Sequence, residues 1–275
     1  MPQRWGDMTA LRAAAECLTD AIKTRIQAEN RAQRGGAAID AEHRDRLVAI
    51  PRDAEDETRA LLHSLYEEVV PDHIREWAAG IPGLRTGEVF PRLIGLTGNP
   101  RQAIPYKWDA SGSTRVLVPD GEPFQRSLRQ LWQWAGCGDP EVRPVAGMGQ
   151  AELLRCGRRT DIRPVLFAFT SYIARAGRII TKEDSPRRGQ PVSQEVANSR
   201  YFKIFCERKA EGLGRTHAWE CQNHKRPPYS PNGCGTVAHR EWGEIGSPWR
   251  AGHAEMHAHR ITAKELLRDL WIQSE

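Results

Sequence analysis

Apolar residues recur at every third or fourth position along the first third of the chain, and this spacing constrains the fold most strongly. Between residues 8 and 33 the recurring positions are Met8, Leu11, Ala15, Leu18, Ile22 and Ile26. One face of an α-helix has this period, so the spacing predicts an amphipathic helix. A second helical segment, "AEHRDRLVAI", is expected to stop at Pro51, because proline lacks the amide N–H that a helix interior uses. A third helical pattern runs from Leu61 to Trp77 and is interrupted by Pro71.

These patterns predict a mainly α fold in three parts. Residues 1–70 form a helical hairpin or coiled-coil arm that packs or dimerises. Residues 71–195 form a helical domain with a small β hairpin near the β-prone run "TRVLV". Residues 196–275 form an irregular Cys/His-rich loop and a basic amphipathic C-terminal helix.

Composition excludes several classes of protein. Among the 275 residues, 39% are hydrophobic and 27% are charged, as in a globular protein. The first residues lack the apolar segment of a signal peptide, and no apolar run is long enough to span a membrane. The six cysteines are scattered without disulfide-scaffold spacing, which favours reduced thiols and a cytoplasmic location. The chain has no Walker loop, dinucleotide fingerprint or nucleophile elbow.

Positive charge is concentrated in one segment of the chain. The net charge is +5, yet residues 143–188 hold ten Lys or Arg against four Asp or Glu, so the remainder is close to neutral. A polyanion suits such a segment, because phosphates neutralised by protein cations release counterions. A solvated basic surface without a partner is the other interpretation.

The stretch "IPGLRTGEVFPRLIGLTG" from Ile81 to Gly98 has the outline of a helix-hairpin-helix. In that motif a tight turn directs backbone N–H groups and a helix N-terminus at a phosphate. The candidate contact residues are Gly83, Leu84, Arg85 and Thr86. Gly83 supplies the turn and Thr86 can cap the second helix. Arg85 stands where the usual motif has a second glycine, and a structural turn inside a core remains the alternative.

A Cys/His cluster follows within a loop rich in proline and glycine. Its candidate metal ligands are Cys221, His224, Cys234 and His239. Four such ligands can close a structural zinc site, and a loop with so little apolar content gains order from the metal. Their spacing matches no standard zinc finger, so a surface loop with packed cysteines and hydrogen-bonded histidines remains the alternative.

The last helix carries two further candidate sets. Arg260, Lys264 and Arg268 are spaced by four residues and therefore share one helix face, which suits either nucleic-acid contact or solubility. Glu255 lies among His253, His257 and His259. Those side chains are the basis for an enzymatic alternative, a metal-dependent recombinase or nuclease.

The order of these segments resembles the C-terminal transposase domain of the insertion-sequence transposases that use a bridge RNA. It resembles still more their standalone helix-hairpin-helix relatives from phages and mobile elements. The likeness covers about residues 60–176 and the last helix. It rests on "IPGLRTGEVFPRLIGLTGNP", "FQRSLRQLWQWAGCGDP", "VAGMGQ" and "GHAEMHAHRITAKELLRDLW". The resemblance implies that residues 71–195 are a helix-hairpin-helix transposase-like domain.

Two departures from that family bear on activity. The family transposases carry a ribonuclease-H-like domain with acidic metal ligands, which this chain lacks. They also use a serine of the Gly-rich loop as nucleophile, where this chain has Ala146 and Gly147. The resemblance therefore implies a DNA-binding scaffold without its own strand-transfer chemistry.

The expected function is accordingly binding of DNA, or of structured RNA, through the phosphate backbone. Gly83 to Thr86 are expected to clamp one backbone, and the last-helix cations extend the surface. The further candidate phosphate contacts in the basic segment are Arg155, Arg158, Arg159 and Arg163. Homo-oligomerisation or a recombinase partner through the helical arm is expected, and no membrane partner. A transposase-like subunit whose catalytic groups come from a partner, and a protein-interaction module without nucleic-acid affinity, stay open as alternatives.

Overall fold

A computed structural model shows that most described residues are helical, which confirms the mainly α prediction. It describes residues 5–34, 40–85, 87–103, 106–109, 116–119, 121–138, 159, 161–183, 185–216 and 246–275. The helices are α1 (Thr9–Arg34), α2 (Ala41–Val69), α3 (Asp72–Ala79), α4 (Val89–Thr97), α5 (Leu128–Trp134), α6 (Ile162–Ala176), α7 (Gln194–Asn198), α8 (Arg200–Leu213) and α9 (Ala251–Gln273). No helix among these residues is long and apolar enough to cross a membrane.

The chain divides into two compact units. Unit 1 takes its residues from Met1–Phe169 and Leu267–Glu275, and unit 2 from Thr170–Leu266. This division does not coincide with the predicted boundaries after residues 70 and 195. Both α6 and α9 contribute residues to each unit, a feature that a linear inspection of composition does not reveal.

Helices α1 and α2 form an antiparallel helical hairpin in unit 1. The amide of Gly6, just before α1, donates to the carbonyl of Val69 at the end of α2 at 2.9 Å. Further along, Arg25 Nε lies 2.6 Å from Glu55 Oε2, and Arg52 Nη2 lies 3.1 Å from Glu29 Oε1. Of the recurring apolar positions, Leu11, Ala15 and Leu18 are buried, whereas Ile26 near the end of α1 is exposed; Leu62 of α2 is fully buried as well.

The helix α2 continues through Pro51, so the prediction that it stops there is wrong. Proline in a helix interior removes one hydrogen bond and costs about 3 kcal/mol. The turns on either side are held independently. The Asp40 side chain accepts from the amide of His43 at the N-terminus of α2. After the proline, buried Glu55 pairs with Arg25 and with Arg59.

Helix α4 packs directly against α1. A Cβ built on Gly95 would lie 2.7 Å from Ala15 Cβ and 2.9 Å from the carbonyl of Leu11, so only glycine permits this approach. Arg92 Nη2 also donates to Thr19 Oγ1 at 3.2 Å. The first 70 residues therefore share their core with the segment that follows.

Two small antiparallel sheets and α5 follow α4. Strands β1 (Gln102–Ala103) and β4 (Phe124–Gln125) pair with each other, and they enclose the pair formed by β2 (Tyr106–Asp109) and β3 (Val116–Pro119). The second pair confirms the small predicted β hairpin. Ser127 and Gln130 form a reciprocal capping box at the start of α5. The end of α9 belongs to the same unit, where Trp271 Nε1 donates to the carbonyl of Arg126 at 3.2 Å.

Unit 2 is built on close packing between helices. A Cβ at Gly177 would meet the ring of Phe202 at 2.3 Å, and one at Gly212 would meet Ala254 Cα at 2.9 Å. Two side-chain pairs join α8 to α9: Arg200 with Glu265 at 2.8 Å and Lys209 with Glu255 at 3.0 Å. The loop between α6 and α7 also belongs to unit 2.

Candidate nucleic-acid interface

The connection between α3 and α4 begins with a tight turn, as predicted from the Pro-Gly pair. Gly83 has a φ of 88°, a left-handed conformation that favours glycine. The amides of Leu84 and Arg85 both donate to the carbonyl of Ile81, at 3.1 and 3.3 Å. These two N–H groups therefore stabilise the turn itself, whereas a phosphate clamp needs N–H groups directed at the ligand.

The second helix of the motif starts later than predicted. Its first residue is Val89 and its N-cap is Glu88, so Thr86, which lies outside the described residues, is not the N-cap. A second glycine, Gly87, has a φ of 91°. The two left-handed glycines are thus four positions apart. The sequence pattern did not predict Gly87, because the usual motif has its second glycine at the position of Arg85.

A carboxylate occupies the start of α4. Glu88 Oε2 lies 2.7 Å from Arg59 Nε, and Glu88 Oε1 lies 3.2 Å from Arg92 Nη1. The positive end of a helix dipole attracts anions, and here Glu88 already supplies one. Leu84 is buried and Arg85 is exposed. The geometry at this turn therefore gives little support to the predicted clamp.

Arg159 is a structural residue in this fold, which corrects its assignment as a phosphate contact. The side chain is only 8% exposed. Its Nε and Nη2 each donate to the Asp161 carboxylate at 2.8 Å, and Nη2 also pairs with Glu16. Burial lowers the pKa of this guanidinium, but the hydrogen bonds to Asp161 and Glu16 outweigh burial and raise it. The carboxylates of Asp161 and Glu16 therefore neutralise the charge of Arg159, which the sequence pattern predicted to contact a phosphate.

The other predicted contact residues fall into two groups. Arg155 and Arg158 lie outside the described residues, as do Ala146 and Gly147. Arg163 is exposed on α6. On α9, Arg260 and Arg268 are exposed and Lys264 is half-buried, so the four-residue spacing does place charge on the surface of that helix.

Among the described residues of the basic segment, a loop that no motif had singled out carries several exposed cations. We call residues 178–192 the basic hairpin. Ile179 and Pro191 form an antiparallel bridge. The amide of Ile180 donates to the carbonyl of Gln190 at 2.9 Å, and the amide of Gly189 returns a bond to Ile180 at 3.0 Å. Gly189 has a φ of 82°, which lets the chain reverse.

The basic hairpin presents its cations to solvent. Arg178, Lys182, Arg187 and Arg188 are exposed, and so is Arg175 at the end of α6. Arg187 also braces the loop, since its Nη2 donates to the carbonyls of Pro191 and Val192 at 3.1 and 3.0 Å. The sequence signal that identifies this loop is the turn-forming "SPRRGQP" inside the basic segment.

Apolar surface accompanies these charges. Ile179 is 52% exposed and Val192 is 42% exposed, on opposite arms of the basic hairpin, and Tyr172 on α6 is 41% exposed. Arginine, lysine and tyrosine side chains are among the groups that contact phosphates and sugars in protein–DNA complexes.

The predicted zinc ligands Cys221, His224, Cys234 and His239 all lie outside the described residues. The structural zinc therefore stays a prediction, which elemental analysis of the purified protein would check. Within the described ranges, no three His, Cys, Asp or Glu side chains lie close enough together to hold a metal ion.

His259, the α9 histidine nearest to Glu255 in the enzymatic alternative, is a core residue of unit 2. His259 is 6% exposed, its Nδ1 lies 2.9 Å from Thr170 Oγ1, and its ring packs on Phe205 with centroids 5.0 Å apart. Its Nε2 is 4.0 Å from Glu255 Oε1. Thr170 is 1% exposed. A hydroxyl and an imidazole this deeply buried cannot reach a polymeric substrate, so this pair stabilises the core of unit 2.

His257 and His253 serve a different contact. The rings of both pack edge-on against Trp249, with centroids 5.3 and 6.2 Å away. The described geometry thus gives the enzymatic alternative no catalytic cluster, and the basic hairpin is the surface best suited to a ligand.

Comparison with protein-family models, curated proteins and solved structures finds no significant match to this chain.

Proposed function

We propose that this protein binds DNA through the phosphate backbone, and that the basic hairpin is its principal contact surface in unit 2. The observation that carries the proposal is the exposure of the cations in the second half of the basic segment. All six of its described cations after Arg159 are exposed. Paired cations in a folded core would argue against binding, and Arg159 is of that kind.

The chemistry of the hairpin favours backbone contact over base reading. Arginine and lysine heads neutralise phosphates and release counterions, whatever the sequence of the duplex. The loop lies outside the helices, and its turns are closed by backbone hydrogen bonds, so its cations are held on a defined scaffold. The resemblance to the bridge-RNA transposases supports DNA as the partner and a mobile element or phage as the setting. By the same resemblance, the chain has no strand-transfer chemistry of its own.

The test is a salt titration of duplex binding. Fluorescence anisotropy with two unrelated duplexes, from about 50 to about 200 mM salt, should show a steep linear fall of log affinity with log salt. The double variant Arg178→Ala with Arg188→Ala should weaken both duplexes alike and lower the magnitude of that slope by about two.

A matched control distinguishes a local contact from a general charge effect. Arg31→Ala with Arg46→Ala removes the same charge from exposed positions on α1 and α2 and should leave the slope unchanged. An equal loss in both double variants would contradict the hairpin assignment. Binding that is absent, or indifferent to salt, would remove the proposed function and favour the protein-interaction module.

A further inference from the structure

Helix α2 carries a second apolar face, which stays at the surface of the helical hairpin. Leu62 is fully buried, whereas Leu47, Ile50 and Leu61 are 52%, 72% and 54% exposed. Together with exposed Ala54, these three are spaced by three, four and seven residues. That spacing places all four on one line along the helix. We call Leu47, Ile50, Ala54 and Leu61 the apolar stripe.

The regularity of the apolar stripe distinguishes it from ordinary surface residues. Single exposed leucines are common on soluble proteins and need no partner. Three large apolar side chains at heptad spacing are instead the pattern through which two α-helices pack against each other. From Leu47 to Leu61 the stripe runs fourteen residues, which is about 21 Å of helix. The stripe is therefore suited to contact with another helix.

The exposed charges of α2 are divided along the helix. Between residues 43 and 52 they are Arg46 and Arg52 against Asp45. Between residues 53 and 68 all five exposed charged side chains are acidic: Asp53, Asp56, Glu57, Glu67 and Glu68. Arg52 and Asp56 also have ion-pair partners within their own chain, so what acts between two helices is the field of each half of α2.

This division of charge selects the kind of partner and its direction. Nucleic acid and anionic lipid are both repelled by the acidic half of α2. A second α2 in the parallel direction would bring the two acidic halves together. In the antiparallel direction each acidic half meets the half that carries Arg46 and Arg52, which is the complementary arrangement.

The apolar stripe is also symmetric about its alanine. Leu47 and Leu61 each lie seven residues from Ala54, on opposite sides. A twofold axis at Ala54 therefore places Leu47 of each copy opposite Leu61 of the other. Because alanine has a short side chain, two helices that cross there can approach closely. The stripe thus matches a second copy of itself.

We infer that the apolar stripe pairs with the same stripe of a second copy of this chain, with the two α2 helices antiparallel and crossing near Ala54. The inference goes beyond the proposed function, because no residue of the basic hairpin takes part. It gives the helical arm one contact face and one direction. A single helix pair lies at the small end of stable interfaces, so the dimer is reversible and its population depends on protein concentration.

Sedimentation equilibrium over a concentration series tests the dimer. The native protein should pass from 31.0 kDa towards twice that mass as its concentration rises. The double variant Leu47→Gln with Leu61→Gln keeps good helix formers at exposed positions. It should raise the dissociation constant about tenfold or more, because the leucine contacts on both sides of the axis lose their apolar surface.

A matched control separates the apolar stripe from exposed apolar surface in general. Leu213→Gln with Ile272→Gln changes side chains that are 52% and 43% exposed on α8 and α9, and this variant should dimerise like the native protein. The Arg178→Ala, Arg188→Ala variant should also dimerise normally. The stripe variant should keep the salt dependence of duplex binding, so the dimer and the DNA surface can fail independently.

Disulfide cross-linking tests the direction of the two helices. Ala54→Cys should cross-link to itself on oxidation. Leu47→Cys should cross-link to Leu61→Cys in an equal mixture but not to itself, because two copies of position 47 lie about 21 Å apart along an antiparallel pair. The native protein, with Cys17 and Cys206 exposed, is oxidised in parallel to give the background.

Three results would overturn the inference. They are a native protein that stays monomeric at every concentration, a stripe variant that dimerises like the native protein, and a Leu47→Cys variant that cross-links to itself as readily as Ala54→Cys. The first would leave the stripe to a different protein, and the third would make the pair parallel. Circular dichroism must first show native helix content in each variant, so that a loss of dimer reports on the stripe.

Discussion

Arg159 and the arginines of the basic hairpin come from the same cationic segment, yet the structure uses them in opposite ways. Arg159 is buried and chelated by Asp161, with Glu16 as a second partner. Arg178 and Arg188 are exposed on a loop. A count of charges gives each of the three the same weight. What separates them is whether the fold brings a carboxylate to the guanidinium.

The difference has an energetic basis. A buried guanidinium costs several kcal/mol of lost hydration and is tolerated only with close partners, so its charge is already neutralised. An exposed one keeps its hydration and a long-range field, which a polyanion can exploit. Binding is therefore expected from the hairpin arginines and stability from Arg159.

The largest expected effect is on stability when Arg159 is replaced. Arg159→Met keeps most of the side-chain volume but leaves Asp161, which is largely buried, without its cation. The free energy of unfolding should fall by about 3 kcal/mol, measured by urea denaturation. Arg163→Met, an exposed neighbour, should change it by less than about 0.5 kcal/mol. If the folded Arg159 variant lost duplex affinity at unchanged stability, the two classes of arginine would not be distinct.

A smaller effect is expected at Gly83. Its φ of 88° is unfavourable for any side chain, so Gly83→Val should destabilise the protein by about 2 kcal/mol. Because the turn amides already donate to Ile81, the folded variant should bind duplex DNA with native affinity. Loss of binding by a folded Gly83→Val protein would restore the clamp interpretation and reduce the role of the basic hairpin. Gly87→Ala, at a φ of 91° with open space around it, carries the same backbone strain, so it should also lower the stability while duplex affinity stays native.

The helices were predictable because their signal is local. The three- and four-residue spacing through Leu11 and Leu18 identifies α1 whatever it packs against, and both leucines are fully buried. Pro51 misled the prediction, because the contact that offsets it comes from Arg25, which pairs with Glu55, thirty positions further along the chain. Local propensity gives the cost of a proline but not the tertiary contacts that offset it.

The candidate site was harder to predict, because the role of each charge depends on contacts between residues that are far apart in the sequence. Arg159 pairs with Glu16, which lies 143 positions away in the sequence, and no spacing rule predicts that pair. The basic hairpin was counted within the cationic segment but was not recognised as a unit, although Pro186 and Gly189 mark its turn. Sequence patterns thus located the positive charge, but the fold decides which arginines are paired with carboxylates and which are exposed.

A buried titratable group can also become neutral, which is a third outcome beside the buried, paired arginine and the exposed ones. His259 is an example. Burial lowers the pKa of His259 below its usual value of about 6.5, Glu255 opposes the shift and Lys209 adds to it. The unfolded chain therefore takes up a proton at a higher pH than the folded one. Stability should be full above pH of about 7 and decrease as pH falls through about 6.5 towards the lowered pKa.

The measurement is urea denaturation at a series of pH values. His257 contributes with the same sign, since burial, followed by Arg215 and Arg260, lowers its pKa as well. His259→Gln should therefore flatten the pH dependence without abolishing it, and His257→Gln in addition should flatten it further. A His259→Gln protein with the native pH dependence would show that His259 is not responsible.

The smallest expected effect concerns Glu183, one of the two acidic residues of the basic hairpin. Glu183 is exposed between Lys182 and the turn, and its charge opposes the approach of a phosphate. Glu183→Gln should raise duplex affinity by about twofold at low salt, because one exposed charge contributes about 0.5 kcal/mol there. The gain should fade as salt is raised and screening shortens the range of the field. Glu57→Gln, an exposed acid on α2, removes the same charge outside the hairpin and should have no such effect. Equal gains from both substitutions would mean that net charge, and not the position of the hairpin, governs the affinity. That result would remove the distinction between exposed arginines on a defined loop and exposed charge in general.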